Sequence, residues 1–193
     1  QQLYNLSDDR LEFQLLDRLS FQRFVGLRRS SQIPDRTTFW TFRERLKEAG
    51  ACEVIFEAVG RELSRHGYLA RCGQIVDASL IPAPVQHNHQ QERELVKDNA
   101  MPVGWKPAKR RQKDVDATWT KKHGKSTFGY KLSVNADQRY KLIRKVKVST
   151  ASENDTMHLE DVLDPANTSR DLYGDKGYVD GKRERRLKQD GWR

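Results

Sequence analysis

The sequence predicts an α/β protein in which an all-helical N-terminal region precedes a mixed sheet. Apolar residues recur at helical spacing up to about residue 70, and beyond it they alternate as in strands. Two aspartates, Asp77 and Asp175, lie inside short apolar segments, although aspartate is depleted in strands and seldom buried without a partner. The formal net charge is +9, which favours a polyanionic partner. These features suggest carboxylates that gather a divalent metal ion beside a polyanion; alternatively, each aspartate ends a strand or caps a turn.

Three longer helices are predicted in a first domain of residues 1–70. Ser7 suits the start of the first, because a small side-chain acceptor caps free N–H groups. Asp35 follows a proline and opens the second helix, which ends at Gly50. The third covers about residues 53–66, and its apolar residues are expected to face inward; they include Val54, Ile55 and Val59. The last two helices have the order of a DNA-binding helix-turn-helix, and an ordinary amphipathic pair is an equally good interpretation.

A second domain is predicted over residues 71–193. Residues 85–124 lack clear periodicity and are rich in glutamine, lysine and arginine, which predicts a long, mobile, basic insertion. The other predicted elements are a strand at 74–81, a hairpin of strands at 127–135 and 140–149, a helix at 154–163, a short strand at 171–175 and a basic helix at 179–189.

This order of strand, hairpin, helix, strand and helix is that of an incomplete ribonuclease-H-like sheet. In that fold the first three strands are antiparallel, and the first and fourth lie side by side. Asp77 and Asp175 would therefore converge at one end of the sheet. Mg²⁺ suits such a site because it is a hard ion that takes oxygen ligands and keeps several waters.

The apolar runs and the cysteines of the sequence bear on the cellular compartment of the protein. No apolar run approaches the roughly 20 residues that a membrane-spanning helix needs, and no signal-peptide pattern opens the chain. The two cysteines, Cys52 and Cys72, lack metal-ligand spacing and favour a reducing compartment, so a cytoplasmic location is expected. Because the chain lacks an initiator methionine and stops just after a helical pattern, we expect a fragment of a longer protein.

Four segments together resemble bacterial insertion-sequence transposases of the DDE type, and are most similar to the group named after insertion sequence five. The helical N-terminal region also resembles the segment that precedes the catalytic domain in those proteins. The four segments are Ile75-Val76-Asp77-Ala78-Ser79, Asp116-Ala117-Thr118-Trp119-Thr120-Lys121-Lys122, Phe128-Gly129-Tyr130-Lys131 and Asp175-Lys176-Gly177-Tyr178.

The resemblance implies that Asp77 and Asp175 are the first two catalytic, metal-binding carboxylates, with Mg²⁺ as cofactor and Mn²⁺ as substitute. The third carboxylate of the family is a glutamate in a Tyr-Arg-Glu-Lys signature, which does not follow Asp175 here. Glu184 falls too close to Asp175 and is interpreted as a surface residue. We therefore expect the 193-residue chain to bind DNA without cleaving it.

The resemblance further implies an enzyme that binds double-stranded DNA at element ends, cleaves it, and joins it to target DNA. A homodimer, associated with the bacterial nucleoid, is expected for the full-length protein. The alternative is a non-catalytic DNA-binding protein whose aspartates are structural. The basic residues expected to contact DNA are Lys109, Arg110, Arg111, Lys113, Lys121, Lys122, Lys131 and Lys176. For those in the insertion, the alternative is a solvated loop that contacts no DNA.

Overall fold

The computed structural model describes residues 1–27, 32–68, 72–97, 100–122 and 124–193. By its internal contacts the chain divides into two compact units, Gln1–His66 and Gly67–Arg193. Across these described ranges, the helices are too short or too polar to span a membrane.

The first unit is helical. Ser7 accepts a hydrogen bond from the Arg10 N–H at 3.3 Å and caps the first helix, and Asp35 caps the third by accepting from the Thr38 N–H at 2.7 Å. Both helix starts confirm the sequence prediction. The helices are α1 (Asp8–Asp17), α2 (Leu19–Phe24), α3 (Arg36–Glu48) and α4 (Ala51–Arg65).

The apolar face of α4 is not the core face that the sequence predicts. Val54, Ile55 and Val59 are 61%, 49% and 53% exposed. Within this unit α4 packs against α3, whereas α1 packs against both α2 and α3. Periodicity identified the helix correctly, but it cannot say whether a neighbour covers the apolar side.

The second unit is built on a five-stranded mixed sheet. β3 pairs antiparallel with β1, β2 and β4, and the short β5 pairs parallel with β1. The first and last strands are therefore neighbours, as in the ribonuclease-H-like arrangement that the sequence predicts. The strands are β1 (Gln74–Pro82), β2 (Thr118–Lys122), β3 (Lys125–Asp137), β4 (Ile143–Thr150) and β5 (Leu172–Tyr173).

One face of the sheet carries the hydrophobic core. Val76 of β1 packs there with Tyr178 and Trp192 and with side chains of a short helix, α7 (Leu159–Val162). Leu187, on the helix that follows Tyr178, packs against the same cluster. The connection from β4 is a 3₁₀ turn, Asp155–His158, before α7, where the sequence predicted a single continuous helix.

The basic insertion is more ordered than the sequence predicts. It contains α5 (Gln90–Lys97) and α6 (Pro107–Gln112), and Trp105 between them is buried. The Trp105 Nε1–H donates to the Glu92 carboxylate at 2.6 Å. The prediction of a long, mobile, basic insertion did not include these elements, because helices of eight and six residues offer few turns over which periodicity can be recognised. The last element of the chain is α8 (Gly181–Gln189).

Candidate active site

The pairing of β1 with β5 places the two segments that carry the predicted site aspartates side by side. Gln74 lies opposite Leu172 and Ile75 opposite Tyr173 in the parallel register. Asp77 follows two residues later within β1, and Asp175 follows two residues after the end of β5.

Each aspartate is held locally by a backbone amide. The Asp77 Oδ1 accepts from the Ala78 N–H at 2.7 Å, and the Asp175 Oδ1 accepts from the Gly177 N–H at 2.9 Å. Asp175 thereby caps the 3₁₀ turn Lys176–Tyr178. A Cβ on Gly177 would lie 3.0 Å from the Asp175 Oδ1, so a larger residue there would push against the carboxylate. Both side chains belong to exposed residues and are open to a ligand from solvent.

A buried amide network fixes β1 against the chain that leads into β5. Gln74 is fully buried; its side chain donates to the Asp164 carbonyl at 2.9 Å and accepts from the Asp164 N–H at 2.8 Å. The Asn135 amide of β3 donates to the same Gln74 oxygen. The Asn167 Nδ2 donates to the Gly73 carbonyl at 3.1 Å. These bonds tie β1 to β3 and to the segment that leads into β5.

A third aspartate, which sequence reasoning missed, lies at the same end of the sheet. Asp155 begins the 3₁₀ turn after β4, and this turn packs against the turn that follows Asp175. Its Oδ1 lies 2.6 Å from the Nζ of Lys131, which also donates to the Glu153 carbonyl. The sequence offered one signal, the Asn154-Asp155-Thr156 run, which starts the helix predicted at 154–163.

Lys131 was predicted to contact DNA, and the structure gives its ammonium an internal partner instead. The residue is 9% exposed, and a buried ammonium needs a counter-charge. Asp155 supplies that charge. The pair ties β3 to the turn beside Asp175, which is a positioning role.

Tyr178 ends the 3₁₀ turn that Asp175 caps, and this turn contacts the turn that Asp155 begins. Burial raises the pKa of Tyr178 to about 12, and the negative charges of Asp155, Asp77 and Asp175 add to the shift. The phenol therefore stays protonated at neutral pH. Its hydroxyl is buried and has no hydrogen-bond partner within the described part of the chain.

His158 closes the 3₁₀ turn with two acidic partners. Its Nδ1 lies 3.0 Å from the Asp161 Oδ2, and its Nε2 contacts the Glu153 carboxylate. These hydrogen bonds, with Asp161 first and Glu153 second, raise the pKa of His158, while partial burial opposes them. Sequence reasoning gave this histidine no role.

We expect His158 to make the stability of the second unit depend on pH. A raised pKa in the folded state stabilises the protein fully below the unfolded value of about 6.5, and this contribution is lost as pH rises through the folded value. The loss of stability caused by His158→Gln, measured by urea unfolding, should be larger at about pH 5.5 than at about pH 9. The exposed His89→Gln is the matched control, and an equal loss at both pH values would contradict the assignment.

The donor chemistry of the site fits a hard divalent cation. Asp77 and Asp175 offer carboxylate oxygens, and Mg²⁺ is commonly held by one or two carboxylates together with waters and substrate phosphates. Across the residues that the structure describes, no group of three or more His, Cys, Asp or Glu side chains is arranged to hold a metal ion. Glu184 is exposed on α8 and lines a groove of about 340 Å³ that Asp175 also lines.

The predicted DNA-contacting residues fall into two sets. Lys121 and Lys122 are exposed at the end of β2 and line a cleft of about 350 Å³ with Lys131. Lys176 is exposed directly after Asp175. Within the insertion, the Lys109 Nζ lies 2.5 Å from Glu92.

Two other basic residues of the insertion also make internal contacts. The Lys113 Nζ donates to the Asn88 Oδ1 at 2.6 Å, and the Arg110 Nε donates to the Trp105 carbonyl at 3.1 Å. These contacts hold α5 and α6 around Trp105. The side chain of Arg111 lies outside the described residues.

The topology defines the second unit as a ribonuclease-H-like α/β domain, and comparison with known proteins defines its family. Residues 68–193 match the family model of the transposase DDE domain. Residues 1–45 match a second family model, also described as a transposase domain. No solved structure matches the chain significantly. The chain belongs to the DDE-domain transposases, a family of DNA transposition enzymes.

Proposed function

We propose that this chain belongs to an insertion-sequence transposase of the group named after insertion sequence five, in which Asp77 and Asp175 hold Mg²⁺ and direct strand cleavage and strand transfer. The observation that carries the proposal is the parallel β1–β5 pairing, which lays the strand of Asp77 next to the strand that leads into Asp175. The family gives DNA as the substrate.

The reaction has two phosphoryl-transfer steps. In the first, a water oxygen bonds to phosphorus at the element end, the bond from phosphorus to the 3′-oxygen breaks, and that oxygen takes up a proton. In the second, the freed 3′-hydroxyl oxygen bonds to a target phosphorus, displacing the target's own 3′-oxygen. Bound Mg²⁺ would lower the pKa of the attacking group and stabilise charge on the leaving oxygen.

The residues of this chain position the reacting groups. Asp77 in β1 and Asp175 just after β5 would hold the ion, and the Gln74 network ties β1 to the segment that leads into β5. The ion pair of Lys131 with Asp155 holds the neighbouring turn. No covalent protein–DNA bond is needed, since the attacking groups are water and the 3′-hydroxyl.

Lys121, Lys122 and Lys176 are the DNA contacts that the geometry favours, because their residues are exposed beside the proposed site. Lysine ammonium groups neutralise phosphates and release counterions. Lys109, Arg110, Arg111, Lys113 and Lys131 are proposed as flanking positive charge only, since four of them make contacts within the fold.

Neutralising Lys121 and Lys122 tests the DNA surface. The double variant Lys121→Gln, Lys122→Gln should weaken duplex binding, and the slope of log affinity against log salt should become shallower by about two, because two phosphate contacts are lost. Fluorescence anisotropy at several salt concentrations measures this slope. Lys141→Gln, in the β3–β4 turn beyond the other end of β3, should leave it unchanged. An unaltered slope in the double variant would remove this surface from the proposal.

The rival function is DNA binding without chemistry, and metal dependence separates the two. A binding module would hold DNA equally well with and without a chelator, and would gain nothing from Asp77 and Asp175. Under our proposal the 193-residue chain binds DNA and binds metal weakly but does not cleave DNA by itself. The complete protein would act as a homodimer on the bacterial nucleoid in the cytoplasm.

A further inference from the structure

Tyr178 combines an anchored ring with an unused hydroxyl. The ring belongs to the core with Val76, Leu159 and Trp192, and the residue is 7% exposed. Its backbone N–H donates to the Asp175 carbonyl at 3.1 Å, so the tyrosine is tied directly to a proposed metal ligand. The backbone of Gly174 passes beside the Tyr178 ring, and a Cβ there would lie 3.4 Å from the ring, an ordinary van der Waals distance. The ring position is therefore well determined.

The hydroxyl of Tyr178 has no partner among the described residues, although it is buried. A buried O–H without an acceptor costs about 1–3 kcal/mol. Proteins seldom leave such a group unpaired unless a water, an ion ligand or a substrate satisfies it. Asp77, Asp155 and Asp175 do not accept this hydrogen bond.

We propose that the Tyr178 hydroxyl donates a hydrogen bond to an oxygen ligand of a divalent cation bound by Asp77 and Asp175. The oxygen belongs either to a cation-bound water or to a DNA phosphate. Tyr178 is then a positioning residue for the ion's ligand sphere. This inference rests on the function proposed above.

The Tyr178 hydroxyl is better suited to donate to an oxygen ligand of the cation than to bind the cation directly. A phenol that carries its proton is a hydrogen-bond donor and a poor direct ligand for a metal ion. Carboxylates attract a cation, whereas an O–H donor needs an electron-rich oxygen. A water or phosphate oxygen held by the cation meets both requirements at one place.

Tyr178→Phe tests this inference because it removes the hydroxyl and keeps the ring in the core. Mn²⁺ binding is measured by the loss of the free-ion signal in electron paramagnetic resonance, and duplex DNA binding in Mn²⁺ and in chelator by fluorescence anisotropy. We expect the affinity for Mn²⁺, or for duplex DNA in the presence of Mn²⁺, to fall about three- to tenfold, which corresponds to the loss of one hydrogen bond. In chelator, the Tm of Tyr178→Phe should equal that of the wild type or be slightly higher, because an unpaired buried hydroxyl has been removed. Tyr140→Phe, in the β3–β4 turn, is the matched control.

The outcomes separate the sources of the oxygen and the two proposals. Weaker Mn²⁺ binding without DNA identifies a water, and weaker DNA binding in Mn²⁺ alone identifies a phosphate. The inference is overturned if Tyr178→Phe binds Mn²⁺ and duplex DNA with wild-type affinity while Asp77→Asn loses Mn²⁺ binding. If Asp77→Asn keeps wild-type Mn²⁺ binding, the proposed metal site fails, and the inference about Tyr178 fails with it.

Discussion

Replacing Gln74 with alanine is expected to lower the free energy of unfolding of the second unit by about 3–5 kcal/mol. The side chain is fully buried, so its loss leaves a cavity. The loss also removes the side-chain partner of the Asp164 N–H and carbonyl, and it removes one of the two acceptors of the Asn135 amide, which keeps the Val162 carbonyl. Urea unfolding of the whole chain, followed by tryptophan fluorescence, measures the change.

Two further variants show which part of this effect comes from the hydrogen bonds. Gln74→Met keeps most of the side-chain volume but removes the amide. It should therefore still show a large part of the decrease in the free energy of unfolding that Gln74→Ala shows. Gln189→Ala, at the exposed end of α8, should change stability by less than about 0.5 kcal/mol. A Gln74→Ala variant as stable as Gln189→Ala would show that the network does not hold β1 in place.

Adding Mn²⁺ should stabilise the wild-type chain, and Asp77→Asn or Asp175→Asn should abolish this gain. A ligand that binds only the folded state at ten times its Kd stabilises by about 1.4 kcal/mol. In chelator both variants should be at least as stable as the wild type, because the repulsion between neighbouring carboxylates is reduced. Thermal unfolding with MnCl₂ and with chelator gives both results.

Asp190→Asn is the matched control for these variants, since Asp190 is an exposed aspartate in the same unit. It should keep the full Mn²⁺-dependent shift in Tm. A shift that persists in both Asp77→Asn and Asp175→Asn would mean that the ion binds elsewhere.

The sequence predicts the second unit well where alternation and element order carry the information. The strand around Asp77, the hairpin after the insertion and the strand before Asp175 all form. Their order was enough to expect β1 beside the last strand, because the number of ways to connect such elements is small. That topology puts Asp77 in a strand whose neighbour leads into Asp175.

The features that the sequence did not predict depend on side-chain contacts between residues distant in sequence. The Lys131–Asp155 pair joins β3 to a turn after β4, and Gln74 meets Asp164 across 90 positions. No local pattern encodes such pairs. Likewise, Trp105 organises the insertion through Glu92, and composition alone suggested a mobile loop. The exposed apolar face of α4 shows the same limit, since periodicity does not identify a partner.

A crystal of this chain soaked in MnCl₂, with data collected at the manganese absorption edge, tests the central claim most directly. The account predicts an anomalous difference peak between the Asp77 and Asp175 carboxylates, with Mn–O distances of roughly 2.2 Å typical of hard-cation coordination. It also predicts that the peak disappears in Asp77→Asn crystals. Carboxylates on the order of 10 Å apart, or a manganese peak that touches neither aspartate, would contradict the account.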